Sequence, residues 1–280
     1  KKKILIIIKN SRPERILHYS IMILIGAFMA KNNSFFLSWV NILSLILVIA
    51  SFKFAWISAV LVNDMNDIEI DKISNPERPL PQNSLEVNDF KILSKLFFIF
   101  SLLLAYSTGL YTLFFVTLFS VVYYIYSSYP LKIKRNFIGG IFTIGIATLS
   151  AVYSGFFLVN RSREIMDFPI DIALAIFLIF GIGSMIKDIK DYEGDKSEGI
   201  VTLPVFIGLK RSKIVISIII MIGFLLSGFY LNSEITIVSS IICSILSWRI
   251  INNAKYNERS FFIIYIAFLV IYAIVFAMRL

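Results

Sequence analysis

The chain has 280 residues, 58% of them hydrophobic and only 16% charged, with a formal net charge of +9. So apolar a composition excludes an ordinary soluble domain, and a polytopic membrane protein is the class that remains. The positive charge suggests nucleic acid at first, but its distribution along the chain, described below, excludes that reading. Residues 1–10 carry Lys1, Lys2, Lys3 and Lys9 around an apolar patch at 4–8 with no small-residue cleavage site, so they read as an interfacial segment. Apolar runs of spanning length follow at 16–31, 36–63, 92–108, 109–128, 137–159, 169–187, 213–231, 234–251 and 260–278, which predicts an all-α bundle of about nine transmembrane helices.

Arg12, Pro13, Glu14 and Arg15 open the first span; proline is tolerated in a first helical turn, and the arginines can lie at the headgroup level. The second span ends on Asn63, Asp64, Asp67 and Asp71. If the helix continues through them, Asn63, Asp67 and Asp71 form one stripe of oxygen ligands about 6 Å apart, with no cation beside it. Such a stripe repels itself and resists desolvation unless a positive group binds, and oxygen-only ligation points to Mg²⁺ with substrate phosphate. Lys53, in the same span, lies two turns from Val60 and four from Asp67 on nearly the same face, so it either snorkels or pairs with an aromatic such as Trp56, or lines a polar cavity under the acids. The loop at 72–89 then packs Pro76, Pro79 and Pro81 around Arg78, a stiff turn from which a guanidinium can address a phosphate.

Spans three and four are a tight pair joined around Gly109, and the loop at 126–136 carries Lys132, Lys134 and Arg135 flanked by Tyr126 and Tyr129. A basic loop beside acidic helix ends is what a metal-bound anion needs. Gly139, Gly140, Gly181 and Gly183 in spans five and six predict close helix approach. Span six ends on Asp188, Asp191 and Asp195, and spans seven to nine read as scaffold. Glu69 and Glu193 fall off the acidic stripes and are expected to be solvated. Cys243 is the only cysteine and reads as packing; His18 is the only histidine, cannot found a zinc site alone, and contact with substrate is its minor reading.

The second acidic word repeats the first. Asp188, Asp191, Glu193, Asp195 and Lys196 each stand 124 residues after Asp64, Asp67, Glu69, Asp71 and Lys72, which predicts an internal duplication with repeat halves near 12–135 and 136–252 and a last helix at 259–278. Taking the amino terminus as inside, inner connections hold 21 basic residues and outer ones only Lys31, Arg161, Arg163 and Arg279. That asymmetry predicts a cytoplasmic amino terminus, an outside carboxyl terminus, and both acidic words on the cytoplasmic side.

These words resemble the UbiA-type intramembrane prenyltransferase superfamily over essentially the whole chain. The first signature of that family is matched by Asn63, Asp64, Asp67 and Asp71 with the loop Asn75, Pro76, Arg78, Pro79, Leu80 and Pro81; the second by Asp188, Asp191 and Asp195. The resemblance implies a single domain of nine helices around a central cavity, with a cytoplasmic cap over Mg²⁺ and a prenyl diphosphate. It implies Asn63, Asp64, Asp67, Asp71, Asp188, Asp191 and Asp195 as metal ligands, of which Asp67, Asp71, Asp191 and Asp195 serve catalysis. Arg78, with Lys132, Lys134 and Arg135, would hold the diphosphate. The family often places Tyr and Lys four apart in that loop, whereas Tyr129 stands five before Lys134 and three before Lys132, so the choice of lysine stays open.

Asp188, Asp191 and the following Thr202, Leu203 and Pro204 look most like the branch that moves a geranylgeranyl group from its diphosphate to the hydroxyl of geranylgeranylglyceryl phosphate in archaeal-type ether-lipid synthesis. Lys53, Arg12 and Arg15 are then candidate anchors for that phosphorylated acceptor. An aromatic-acceptor prenyltransferase of quinone synthesis is the near alternative, and an ion or phosphate transporter the distant one.

Overall fold

The computed structural model describes residues 2–30, 32–160 and 167–278. Lys1, Lys31, Arg161, Arg163 and Arg279 of the charge comparison lie outside the described residues. The described chain is all-α. An amphipathic α1 (Lys2–Asn10) leads into α2 (Pro13–Met29) and α3 (Trp39–Asn66). Next come the short α4 (Ile68–Ser74), then α5 (Val87–Thr108) and α6 (Leu110–Ser127), followed by α7 (Phe137–Val159) and α8 (Ile170–Gly183). The 3₁₀ segment Ser184–Ile189 extends α8, and the short α9 (Tyr192–Ser197) and α10 (Leu203–Ile207) precede α11 (Leu209–Tyr230), α12 (Glu234–Asn252) and α13 (Glu258–Ala277).

Eight described helices are long and apolar enough to cross a membrane. With α2, whose 17 residues stand at the short end of the spanning range, they account for the nine expected runs. The apolar runs encode the ends closely because a helix in hydrocarbon must satisfy every backbone group internally and stops where water returns. Outward faces are rich in Leu, Ile and Phe, as lipid contact requires, whereas α7 is buried over most of its length and packs against the buried stretch of α2 from His18 to Ala27.

Small residues set that packing. A Cβ on Gly26 of α2 would stand 1.9 Å from the carbonyl oxygen of Val152 in α7, and one on Gly155 of α7 1.9 Å from that of Ile23 in α2, so the two backbones touch through reciprocal glycines. Of the glycines expected at close approaches, Gly139 meets the Ile133 carbonyl and Gly181 the Ile141 carbonyl, while a Cβ on Gly140 would stand 4.0 Å from the Ser184 hydroxyl and Gly183 faces open space.

One expectation fails at the acidic word. The second span does not run on as a helix through Asp71: α3 stops at Asn66, Asp67 leaves helical geometry (φ −121°, ψ 18°), and the chain restarts as α4. A continuous stripe would stack three like groups, whereas the break lets each carboxylate turn to its own cation. The second word breaks at the matching residue, Asp191, between the 3₁₀ segment and α9. There α9 packs on α4, with Gly194 held so near Ser74 and Ile70 that a Cβ would stand 2.3 Å from the Ser74 hydroxyl.

Candidate active site

The two breaks bring both acidic words to one end of the bundle and into one cavity. Asn63, Asp67, Asp71, Asp188, Asp191 and Asp195 line it, facing Arg12, Arg15, Arg78, Lys134 and Lys187. Glu69 and Glu193 are exposed, as their positions off the stripes require, and Glu69 is paired with Lys72 at the surface.

Each cation arrives from a different segment. The turns of the proline-rich loop are anchored by Leu80 and Leu85, buried against Ile57, Leu61 and Phe90. From there Nη1 of Arg78 donates to both carboxylate oxygens of Asp71 at 2.5 and 2.6 Å and to Asp64 at 3.4 Å. Arg12, in a left-handed backbone conformation (φ 55°) at the start of α2, donates to Asp64 at 2.8 Å. Lys132 is left-handed too (φ 33°) and reaches the Asn66 carbonyl at 2.9 Å. Non-glycine residues rarely hold positive φ, and both of these do so while reaching the end of α3.

Lys134 settles which lysine enters the cavity. Its ammonium is buried, pairs with Asp67 and donates to Asn63 at 3.2 Å, whereas Lys132 stands 3.7 Å from the other Asp67 oxygen and does not line the cavity. Arg135 is exposed; its backbone instead pairs with Val201, tying the basic loop to the segment after α9. Lys53 is exposed on α3 away from the cavity, and the Trp56 indole donates to the Ser11 carbonyl at 2.8 Å. Spacing along α3 gives a residue's azimuth, but not which neighbour covers that azimuth at a given depth. Arg15 pairs with Glu258 at 2.9 Å and lies 4.1 Å from the centre of the Phe262 ring.

Three participants were not picked out in the sequence as site residues. Asn75 donates to Asp71 at 3.1 Å and to Asp191 at 3.4 Å, bridging the two words, and accepts from Lys190 at 2.6 Å. Lys187 donates to Asp188 at 2.6 Å. Both lysines read as inside charges by count, and only their adjacency to Asp188 and Asp191 signalled more.

Burial dominates the electrostatics outside the spans. It pushes Asp71 up to about 6 against the pull of Arg78, and Asp195 up to about 7 against that of Lys187. Burial draws the Lys134 ammonium below its ordinary range, with Asp67 opposing. Around Arg78 burial disfavours charge, but Asp64, Asp71 and Asp191 more than offset it, so the guanidinium stays charged.

The donor set is one of hard oxygens, which suits Mg²⁺. Buried Asp67 Oδ1 has no hydrogen-bond partner, a lone pair free for a cation. Among the described residues no three acidic side chains gather round one point, because the protein's own cations hold them individually. Beyond Arg15 and Ile144 the polar cavity adjoins an apolar one, lined by α2, α8, α11 and α13 and continued by a third towards Met29, Tyr272 and Phe276.

The comparisons with known proteins agree with this geometry. The UbiA prenyltransferase family model matches residues 19–269. The digeranylgeranylglyceryl phosphate synthase of Methanococcus aeolicus is 32% identical over 214 residues, covering 75% of this chain and 68% of that one. The synthase of that name from Sulfurisphaera tokodaii is 32% identical over 177 residues, and the match spans 62% of its length and 61% of this chain. In three dimensions a UbiA homologue from Archaeoglobus fulgidus, bound to GPP and Mg²⁺, superposes with a TM-score of 0.71 at 20% identity, covering 98% of this chain and 99% of that one. Two broken aspartate helices on one cavity, and a family match that runs from the first spanning helix to the last, lead to the same place: the chain belongs to the UbiA prenyltransferase family.

Proposed function

We propose that this chain transfers a geranylgeranyl group from its diphosphate to the hydroxyl of geranylgeranylglyceryl phosphate, with Mg²⁺, and releases diphosphate. The observation that carries the reading is the convergence of two aspartate words, Arg78 and Lys134 on one polar cavity that adjoins an apolar one. The names of the relatives support the acceptor. A membrane setting with the polar cavity at the cytoplasmic face, a cytoplasmic amino terminus and an outside carboxyl terminus follows from the charge asymmetry, and the matched breaks at Asp67 and Asp191 favour an internal duplication.

An allylic diphosphate is a poor electrophile until its leaving group is neutralised. Asn63, Asp64, Asp67 and Asp71 from one word and Asp188, Asp191 and Asp195 from the other would hold Mg²⁺, which supplies charge neutralisation on the diphosphate oxygens. Arg78 and Lys134, released from Asp71 and Asp67, take the remaining oxygens. The bond from C1 to the bridging oxygen breaks with its electron pair on the diphosphate, and the acceptor oxygen attacks C1. Trp56, Tyr123 and Tyr126 line the same cavity, where their ring faces favour positive charge on the allyl group. Arg15, which lines both cavities, is placed for the acceptor phosphate, with Arg12 one turn away in the polar cavity and paired with Asp64.

The test offers purified protein geranylgeranyl diphosphate, Mg²⁺ and either geranylgeranylglyceryl phosphate or a hydroxybenzoate, and identifies the product by mass spectrometry. An ether product supports the proposal; an alkylated aromatic assigns the quinone-type reaction, and ion flux without donor consumption assigns transport.

A further inference from the structure

Arg78 stands in a loop of turns rather than on a helix, and a phosphate finds its guanidinium only if something holds that loop against the bundle. The loop's backbone hydrogen bonds are local: Arg78 donates to the Asn75 carbonyl at 3.1 Å, Gln82 to that of Arg78 at 3.1 Å, and Ser84 to that of Pro79 at 3.0 Å. With Pro76, Pro79 and Pro81 these bonds make a stiff knot that moves as one body. Its apolar attachments are Leu80 and Leu85, and the buried cluster that takes them also holds Ile57, Leu61, Phe90 and, from α1, Ile7, which is 2% exposed. The segment carrying Ile7 is pinned at both ends. Lys3 Nζ donates to both oxygens of Asp89, in the first turn of α5, at 2.8 Å, and the Ser11 carbonyl just past α1 accepts from the Trp56 indole at 2.8 Å. Leu5 and Ile8 are 69% and 45% exposed, on a face about 130° from Ile7 that suits the membrane surface.

We propose that Ile7 is a positioning residue for the prenyl diphosphate: it is the wall against which Leu80 and Leu85 seat the proline-rich loop, and it thereby fixes where Arg78 presents its guanidinium. The inference rests on the transfer reading above. Leu80 is two residues beyond Arg78, inside the same knot, so a shift of the seat is carried whole to the arginine. Truncating Ile7 to Ala removes three carbons from a buried cluster whose other walls, on α3 and α5, are held by the bundle. The loop is the part free to move into the space. A guanidinium displaced by about 1 Å loses the alignment of its hydrogen bonds to phosphate. The interfacial helix is thus a strap that ties the donor-binding arginine to the surface of the bundle.

A helix that only stabilised the fold would weaken donor binding whether or not Arg78 is present; a strap that acts through Arg78 would not. The experiment therefore uses the full chain in nanodiscs as parent, I7A, R78Q and I7A/R78Q, and measures the Kd of geranylgeranyl diphosphate at saturating Mg²⁺ without acceptor, together with Tm. R78Q should lose about 10- to 100-fold in donor affinity, the worth of a charge-assisted hydrogen bond. I7A should lose about 5- to 10-fold, yet in the R78Q background the same truncation should add less than about twofold, while its drop in Tm is the same in both backgrounds. Donor affinity of I7A within about twofold of the parent, or an equal loss with and without Arg78, overturns the proposal. If I7A does not fold, shown by lost helical circular dichroism, I7V decides by the same cycle: a loss of about threefold that vanishes in R78Q supports the proposal, and no loss or one independent of Arg78 overturns it. R78Q with parental affinity takes Arg78 off the diphosphate and overturns the inference with it, whereas a parent protein that binds no prenyl diphosphate overturns the transfer reading itself.

Discussion

Lys134 pairs with a carboxylate that a metal ion would need, and replacing it separates two affinities that would otherwise move together. Its ammonium pairs with Asp67 and donates to Asn63, both metal-ligand candidates, and its side chain is only 7% exposed. A buried charge-assisted hydrogen bond is worth about 1.5–3 kcal/mol, which Mg²⁺ must displace to take Asp67. K134Q removes the competitor, so Mg²⁺ alone should bind about 10- to 100-fold more tightly, the upper figure applying if Gln leaves Asp67 unpaired. The same substitution removes a cation from the diphosphate, so donor affinity at saturating Mg²⁺ should fall by a similar factor. Calorimetric titration of the protein in nanodiscs, with Mg²⁺ first and prenyl diphosphate second, reads both changes. Unchanged or weaker Mg²⁺ binding by K134Q in the absence of donor refutes the argument.

Asp71 and Asp195 titrate at about 6 and about 7 without metal, and a carboxyl must be ionised to bind Mg²⁺. Mg²⁺ affinity should therefore fall as pH drops through 7 to 5, and loading at pH 6 should release roughly one to one and a half protons, measurable as a buffer-dependent binding enthalpy; no release sinks this account. D191A, which removes a carboxylate from the second word, should lose at least about 100-fold in diphosphate release while keeping its helical circular dichroism; full turnover removes Asp191 from the site. G155A forces a Cβ onto the Ile23 carbonyl, so α2 and α7 must separate, at a cost of about 1–3 kcal/mol or more that should appear as a lower Tm. Lys53 is exposed outside the cavity, so K53M should leave the acceptor KM unchanged within about twofold, and a selective rise in that KM would restore it as an anchor.

The sequence stated some parts of the architecture almost outright. The run at 137–159 is α7 (Phe137–Val159), and that at 109–128 differs from α6 (Leu110–Ser127) by one residue at each end, because hydrocarbon thickness and the return of water define both limits. The 124-residue repeat identified two words whose breaks and cavity are shared. The pairings were hidden. Arg12 meets Asp64 from 52 residues away and Arg15 meets Glu258 from 243, and no local pattern records such partners. Periodicity placed Lys53 correctly with respect to Asp67 on an ideal helix and still missed its surroundings. The last helix read as apolar scaffold because Glu258, Phe262 and Tyr265 are scattered singly on it; only folding gathers them against Arg15 and His18.

The arrangement of charge explains how so many carboxyl groups are tolerated in one cavity. Of the six carboxyl groups in the two words, Asp64, Asp67, Asp71 and Asp188 are ion-paired, with Arg12, Arg78, Lys132, Lys134 and Lys187, while Asp191 accepts from the Asn75 amide. Pairing of this kind is the condition under which partly buried carboxylates are tolerable. A prenyl diphosphate carries a charge of about −3, so either it or Mg²⁺ alone would unbalance the site, whereas the two together add about −1. In the proposed reaction the carboxylates would hold Mg²⁺, and Lys134 and Arg78, freed from Asp67 and Asp71, would be available to the phosphate. The helix breaks at Asp67 and Asp191 are what make the exchange short. A carboxylate on an irregular turn can rotate from an ammonium to a metal ion without moving a 28-residue helix.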